Sequence, residues 1–310
     1  MQLRVLALFL AGVVAACALS PTEYNGTGAP REAVIEPLRS DRPLVALALG
    51  SGGARGFAHV GVIKALEEAG VVPDIVTGSS SGAVVAALYA SGRSGRELEE
   101  VALGIEQGDL VDLSLFGNGW VKGEALQEFV NRMVDGRPIE RLARPFAVTA
   151  TEARTGRLVI FNQGNTGVAV RASASVPRVF VPPVINGEEY LDGGLSSPVP
   201  VKVARAMGAD VVIAVDVSWF AQSRVHNPDE MARYDRNERY LRYGDELEHA
   251  DVVIVPRTVR TRMLDFDQKV ANIAAGEAAG REAVPQLREA RARAVSARQA
   301  RPLAPASGSR

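Results

Sequence analysis

A serine flanked by glycines is the pattern in this chain best suited to chemistry. Gly78-Ser79-Ser80-Ser81-Gly82 has the form G-x-S-x-G and lies between the apolar pair Ile75-Val76 and the apolar run 83–89. A strand, a sharp turn and a helix in this order make a nucleophile elbow, whose turn leaves room only for glycine at 78 and 82. The hydroxyl of Ser80 would then stand at a helix N-terminus, where the helix dipole favours negative charge. The pentapeptide alone is weakly specific, because glycine and serine are common in loops.

A glycine loop precedes the elbow. The apolar run 44–49, typical of a buried parallel strand, leads into Gly50-Ser51-Gly52-Gly53-Ala54-Arg55-Gly56, and helical spacing follows from Phe57. Backbone N–H groups in such a loop bind an anion, either a phosphate or the oxyanion of an ester under attack. The dinucleotide pattern fails because Arg55 occupies the third glycine position, and the lysine of a P-loop is missing. The oxyanion interpretation therefore remains.

A carboxylate stands in a third turn, far downstream. Asp192-Gly193-Gly194 ends a predicted hairpin that begins at Asn186-Gly187. An aspartate before two glycines is, by itself, more often a turn than a catalytic group. The motifs found elsewhere in the chain favour the catalytic role.

Several segments, in this order, resemble the bacterial branch of the patatin-like phospholipase family. They are residues 50–56, residues 78–82, Arg171-Ala172-Ser173-Ala174-Ser175-Val176-Pro177, and Asp192-Gly193-Gly194 leading into Pro198-Val199-Pro200. Motifs that occur in order are far more specific than any one of them. Ser51 interrupts the three consecutive glycines that the family often carries, but the donors needed are backbone N–H groups.

The resemblance implies a serine acyl hydrolase that uses a Ser-Asp dyad. Asp192 would accept the proton of Ser80 as the hydroxyl attacks an ester carbonyl, and water would resolve the acyl-enzyme with Asp192 again as base. The N–H groups of Gly52 and Gly53 would hold the oxyanion. The other residues that the resemblance assigns flank these groups: Arg55 and Gly56 in the first loop, Gly78 and Gly82 around the elbow, and Gly193 and Gly194 after the base.

The chain's few histidines permit such a dyad. His59 is expected to pack or hydrogen-bond within the first helix, whereas His226 and His249 fall in a charged stretch. A Ser-His-Asp triad through one of them stays open as an alternative. Arg55 has two possible roles, either a cation on the phosphate side of the substrate or a salt-bridged organiser of the loop.

The expected substrates are membrane phospholipids or other lipid esters. The alternatives are an acyltransferase or thioesterase with the same dyad, and a non-catalytic envelope lipoprotein. No cofactor is implied, and no metal site, since the histidines are scattered and no calcium-loop pattern occurs. The net charge of −1 gives no reason to expect a nucleic-acid partner.

The N-terminus resembles a bacterial lipoprotein signal. Residues 1–16 are predicted to be a signal peptide, because one basic residue, Arg4, precedes an apolar run that is too short to span a bilayer. Small residues precede Cys17, the only cysteine, which makes it the expected lipid attachment point. Alanine at 18 resembles outer-membrane sorting, so we expect a lipid-anchored protein on the periplasmic side of the outer membrane in the cell envelope. An ordinary signal peptide is the alternative.

The rest of the chain divides into a tether, one domain and a tail. Residues 17–42 carry Pro and Gly without any period, which predicts a lipidated, flexible tether. Alternating strands and helices over 43–287 predict a patatin-like α/β catalytic domain, a three-layer sandwich with a mainly parallel central sheet. Residues 288–310 form a basic tail that is predicted to be disordered, because Pro302, Pro305 and Ser307-Gly308-Ser309 resist folding. Residues 113–120 are predicted as a buried loop rather than a lipid-contacting rim, and 218–249 as a helical surface excursion rather than a lid.

Overall fold

A mixed β-sheet forms the centre of this computed structural model, which describes residues 22–113, 119–218 and 244–300. Nine strands make up the sheet within those ranges. They are β1 Glu23–Tyr24, β2 Val45–Leu49, β3 Ile75–Ser79, β4 Phe146–Glu152, β5 Leu158–Phe161, β6 Val184–Ile185, β7 Glu188–Asp192, β8 Val211–Val215 and β9 Val252–Ile254. Their order is β1-β6-β7-β4-β3-β2-β8-β9, with β5 beside β4. In the spatial order β4-β3-β2-β8-β9, each strand runs parallel to the next. Strands β5 and β7 run antiparallel to β4.

Helices cover both faces of the sheet because its central strands are apolar on both sides. In β2, Val45 and Leu47 pack into one cluster of buried residues, while Ala46 and Ala48 pack into a second, as alternation along a strand requires. The helices are α1 Phe57–Glu68, α2 Ser81–Ala90, α3 Gly95–Gly104, α4 Glu124–Met133, α5 Thr166–Ser173, α6 Val201–Ala206 and α7 Lys269–Gln299. Helix α6 packs into the second cluster and the others into the first. The predicted three-layer α/β sandwich with a mainly parallel sheet is confirmed.

The N-terminal segment packs against the domain from residue 22 onward, which corrects the described part, residues 22–42, of the flexible tether predicted over 17–42. Strand β1 pairs with β6, and Arg31 pairs with Gln163 in an isolated bridge. Ala29 is buried. The partners are distant in sequence, so the local pattern of Pro and Gly gave no sign of them.

The C-terminal segment continues a helix where a disordered tail was predicted over 288–310. Helix α7 runs to Gln299, so the predicted boundary falls inside it. Ala290 is buried, and an Arg298 Nη2 donates to the carboxylate of Asp210 at 2.7 Å. The arginines of this segment lie mostly on the solvent side of the helix, while apolar residues such as Leu287 and Ala290 pack inward.

The predicted buried loop over 113–120 is exposed at both of its described ends. Leu113 is 68% exposed and Trp120 is 52% exposed. Residues 114–118 lie outside the described part of the chain, so the correction concerns the two ends only.

Several other predictions also fall outside the described residues. The signal peptide over 1–16, lipid attachment at Cys17, and residues 219–243 and 301–310 belong to this group. In the ranges that are described, no helix combines the length and the apolar composition needed to cross a bilayer.

Candidate active site

The elbow around Ser80 forms as the glycine spacing predicts. Strand β3 ends at Ser79 and α2 begins at Ser81, and Ser80 between them has φ 54° and ψ −124°. A Cβ at Gly78 would lie 2.6 Å from the Cα of Ala83 in the first turn of α2, and one at Gly82 would lie 2.2 Å from the carbonyl oxygen of Leu49 in β2. These contacts are too short for any Cβ, so only glycine lets the turn fit between the two strands and the helix.

A buried serine on another helix holds the elbow in place. The amide of Ser80 donates to Oγ of Ser173 at 2.8 Å, and Ser173 is the fully buried last residue of α5. Two residues further on, the carbonyl oxygen of Ser175 accepts from the amide of Asp192 at 2.9 Å. The segment around 171–177 therefore fixes the backbones of both predicted catalytic residues. The sequence indicated this segment as a motif but gave it no role, because its hydrogen bonds span the fold.

Asp192 is the last residue of β7. The pairing of the strands places it at the same height in the sheet as the turn that carries Ser80. Residue 192 pairs with Ala150 of β4, while Thr149 pairs with Ser79 of β3. Two strand spacings, roughly 10 Å, therefore separate the backbones of the elbow and of Asp192. Oδ1 of Asp192 accepts from the amide of Gly194 at 2.7 Å, which fixes the carboxylate in its turn.

The turn after Asp192 depends on close backbone approach. A Cβ on Gly193 would lie 2.2 Å from the carbonyl oxygen of Thr149, and a Cβ on Gly194 would lie 2.7 Å from Oγ of Ser51. The turn therefore packs directly on β4 and on the first glycine loop. Both glycines that the sequence indicated are explained by these contacts.

The glycine loop joins β2 to a short 3₁₀ turn, Gly53–Gly56, which leads into α1. Gly52 and Gly53 stand at the start of this turn, where the first N–H groups have no acceptor within the turn. Gly53 has φ 60°, and a Cβ there would lie 2.9 Å from Cγ of Met263. A Cβ on Gly56 would lie 2.7 Å from Oγ of Ser81, so the loop packs on the elbow.

Arg55 joins the glycine loop to the segment that follows β8. Its Nε donates to the carbonyl oxygen of Val217 at 2.7 Å. Burial raises the pKa of neighbouring Asp216, while the positive charge of Arg55 acts in the opposite direction. This arrangement supports the loop-organising role of Arg55 over a role at the phosphate side of a substrate.

His59 is a structural residue in the core. It is fully buried, and its Nε2 lies 2.8 Å from the carbonyl oxygen of Gly50, an acceptor that requires the N–H on Nε2. Burial lowers its pKa to about 4. Of the other histidines, His249 is exposed and His226 lies outside the described residues. His59 thus packs locally, as the sequence predicts, and supplies no base for a triad.

Ser80 and Asp192 line one cavity of about 840 Å³. The glycine loop forms its polar end. Aliphatic and aromatic side chains from α2, α3 and α4 line the rest, among them Val84, Leu88, Leu98, Leu126 and Phe129. An apolar pocket with a few polar groups at one end suits a ligand with a hydrocarbon chain and a reactive polar group. Among the described residues, no cluster of three or more His, Cys, Asp or Glu side chains forms a metal site.

The fold and the elbow define the class of α/β proteins that present a serine between a strand and a helix. Residues 47–205, more than half of the chain, match the model of the family described as patatin-like phospholipase. The chain therefore belongs to the patatin-like phospholipase family, which confirms the resemblance seen in its glycine motifs.

Individual relatives support the same assignment. An uncharacterised NTE family protein of Mycobacterium tuberculosis (strain ATCC 25618 / H37Rv) is 38% identical over 192 residues, which are 61% of this chain and 53% of that protein. Patatin-like phospholipase domain-containing protein 6 of Homo sapiens is 35% identical over 182 residues, 56% of this chain and 13% of that protein. The chain therefore spans about half the length of the mycobacterial relative, and less of the human one.

A solved structure shares the fold. VipD from Legionella pneumophila has a TM-score of 0.53 at 15% sequence identity, over 84% of this chain and 71% of that chain. At this identity the likeness concerns the arrangement of strands and helices. It agrees with the three-layer architecture described above.

Proposed function

We propose that the protein is a serine acyl hydrolase that cleaves ester bonds in membrane phospholipids or related lipid esters. The observation that carries this proposal is that Ser80 and Asp192, far apart in the chain, line the same apolar cavity. The family assignment supports it, because relatives in this family are described as phospholipases. The apolar part of the cavity would take the acyl chain.

Two half-reactions use the same two residues. In the first, Oγ of Ser80 attacks the ester carbonyl, Asp192 takes the hydroxyl proton and passes it to the leaving alcohol, and an acyl-enzyme forms. In the second, water attacks the acyl-enzyme, Asp192 takes a proton from the water, and the proton returns to Ser80 as the fatty acid leaves. The amides of Gly52 and Gly53 would stabilise the negative oxygen of each tetrahedral intermediate.

The proposal is tested by measuring fatty acid release from phospholipid and from a short soluble ester. We expect Ser80→Ala and Asp192→Asn each to lower the turnover number by at least about 100-fold. Ser79→Ala is the matched control, because Ser79 is the buried neighbour and does not line the cavity. Full activity in either of the first two variants would refute the assigned roles. A competing alcohol that captured most of the acyl group would instead identify a transferase.

We also propose that Cys17 carries a lipid anchor that places the enzyme at the outer membrane of a bacterial cell envelope. The apolar run before this single cysteine supports the proposal. Intact-mass measurement of protein from bacterial membranes should find a mass increase equal to the attached acyl groups. A Cys17→Ser variant that keeps this mass increase would contradict the anchor.

A further inference from the structure

Two residues that line the acyl cavity have a backbone conformation that favours glycine. In the described part of the chain, the residues other than glycine with positive φ are Ser80, Asp135, Arg178 and Asn186. Aspartate and asparagine adopt this conformation more readily than other residues with side chains. Ser80 and Arg178 are neither, and both line the cavity. Strain of this kind collects at functional sites, so the φ of 67° at Arg178 indicates a second function in the cavity.

Hydrogen bonds on both sides fix the turn that carries Arg178. The carbonyl oxygen of Val176 accepts from the amides of Val179 at 3.1 Å and Phe180 at 3.0 Å. The carbonyl oxygen of Val179 accepts from the amide of Trp120 at 3.0 Å. The surrounding structure therefore holds Arg178 in its unfavourable conformation.

The guanidinium of Arg178 has no protein partner within residues 22–113, 119–218 and 244–300. It forms neither a hydrogen bond nor an ion pair there, and Arg178 is exposed. Arg55, the other arginine of the cavity lining, instead donates through Nε to the carbonyl oxygen of Val217. Arg178 is therefore the arginine of this cavity whose charge can meet an anionic group on a ligand.

The position of Arg178 relative to the predicted catalytic residues suits an anion close to the reacting ester. The carbonyl oxygen of Ser175 accepts from the amide of Asp192 at 2.9 Å. The Cα atom of Arg178 can lie no more than about 11 Å from that of Ser175, because three peptide units join them. Ser80 is buried, whereas Arg178 is exposed and so lies at the mouth of the cavity. In a glycerophospholipid the phosphate is a few covalent bonds from each ester, which matches this arrangement.

We propose that Arg178 binds the phosphate group of the lipid substrate and selects phosphate-bearing esters over neutral ones such as diacylglycerols. A guanidinium suits this role, because its planar donors bind two phosphate oxygens at once. The phosphate-side role that the sequence left open for Arg55 then belongs to Arg178. This proposal rests on the hydrolase function proposed above for the same cavity.

Hydrolysis of two matched substrates is the first test. Dihexanoyl phosphatidylcholine and dihexanoylglycerol carry the same acyl chains and differ in the phosphocholine group, and both are used as dissolved monomers so that no lipid surface takes part. Arg178→Gln should lower kcat/KM for the phosphatidylcholine by about tenfold or more, because a hydrogen bond to a charged group is lost. The value for dihexanoylglycerol should stay unchanged. Arg96→Gln is the matched control, since Arg96 is exposed on α3 and does not line the cavity.

Two results in this test would overturn the proposal. One is an unchanged kcat/KM of Arg178→Gln on the phosphatidylcholine. The other is an equal loss on both substrates, which would mean that the substitution disturbs the cavity as a whole.

Binding without catalysis is the second test, and it uses Ser80→Ala protein with ligands that contain no ester. Calorimetry measures the affinity for decylphosphocholine and for the neutral ether 1-O-decylglycerol, both below their micelle concentrations. Adding Arg178→Gln should weaken binding of decylphosphocholine by about tenfold and leave that of the ether unchanged. An equal effect on both ligands, or on neither, would contradict the role of Arg178.

Inorganic phosphate separates a lipid phosphate from a free anion in the same measurement. We expect it to bind far more weakly than decylphosphocholine, because it places nothing in the apolar part of the cavity. Inorganic phosphate that bound as tightly would identify a site for a free anion and overturn the proposal. If the native protein cleaves neither substrate, the hydrolase proposal fails, while these affinities still decide whether Arg178 binds a lipid phosphate.

Discussion

Contacts on several sides hold Ser80 in an unfavourable backbone conformation. Its φ of 54° is uncommon for a residue with a side chain and costs on the order of 1–3 kcal/mol. The amide of Ser80 donates to Ser173, and glycines on either side let β2 and α2 come close. This backbone conformation exposes Ser80 at the turn, where it lines the same cavity as Asp192. The burial of Ser173 makes it the residue whose loss should most disturb this geometry.

We predict that Ser173→Ala lowers the turnover number by about tenfold and leaves KM for a soluble ester nearly unchanged. The substitution leaves the amide of Ser80 without its acceptor, which costs about 1–3 kcal/mol. Ser175→Ala is the control, because Ser175 is equally buried and its hydroxyl donates to the carbonyl oxygen of Arg171 instead. If both variants lost stability equally and kept full turnover, Ser173 would have no positioning role.

His59 makes the stability of the fold depend on pH. Its pKa is about 4 in the folded protein, against 6.5 for an exposed histidine, because burial disfavours the charged ring. As pH falls below 6.5, the unfolded chain binds a proton first, so the free energy of unfolding decreases until pH reaches about 4. The slope within this window is about 1.4 kcal/mol per pH unit.

We predict that His59→Gln removes this part of the pH dependence. The amide nitrogen of glutamine can still donate toward the carbonyl oxygen of Gly50, but the side chain does not titrate. Urea unfolding of both proteins at several pH values between 7 and 4 measures the difference. Parallel curves for the native protein and the variant would contradict the assignment of the slope to His59.

Helices α1 and α7 approach closely enough that their backbones touch. A Cβ on Gly276 would lie 1.9 Å from the carbonyl oxygen of Ala58, and a Cβ on Gly61 would lie 1.9 Å from that of Ile273. Glycine allows this approach because it has no side chain to separate the helices. Helix α1 follows directly after the glycine loop, so the packing against α7 also sets the position of the predicted oxyanion donors.

We predict that Gly276→Ala lowers the free energy of unfolding by about 2–3 kcal/mol, because the added methyl group must push the helices apart. Gly104→Ala is the matched control, since that glycine is also helical and a Cβ there would meet no atom within 4 Å. Urea denaturation measures both. A loss in Gly276→Ala no larger than that in the control would show that α7 shifts without cost.

The parts of the fold that the sequence predicted are those with local signals. Buried parallel strands such as β2 and β8 are continuous apolar runs, and the turn at Ser80 needs glycines at fixed spacing. The oxyanion loop and Asp192 were likewise found through glycines that permit close approach. These signals lie within a few residues of the feature that they predict.

The parts that the sequence did not predict depend on partners far along the chain. Tyr24 lies in a segment that resembles a linker, yet its hydroxyl accepts from Nη1 of Arg171 and its ring lies 5.6 Å from the guanidinium. Ser173 holds Ser80 across more than ninety positions, which no local pattern indicates. The arginine-rich end of α7 resembles a disordered tail until Arg298 is placed beside Asp210.

We predict that Tyr24→Leu lowers the free energy of unfolding by about 1–3 kcal/mol. Arg171 is 1% exposed, and the substitution removes a hydrogen-bonding partner from this buried cation. Glu23→Leu is the control, because the neighbouring residue in β1 is exposed. Equal stability of the two variants in urea would mean that the N-terminal segment adds nothing to the domain through Tyr24.

The pairing of Ser80 with Asp192 is tested by labelling with a fluorophosphonate, followed by peptide mass spectrometry. The reagent reacts with an activated serine hydroxyl, so the native protein should carry one adduct, located at Ser80. Asp192→Asn should slow labelling by about 100-fold or more, while Ser79→Ala should label at the native rate. A folded native protein that carries no adduct at Ser80, or an Asp192→Asn variant that labels as fast as the native protein, would contradict this account.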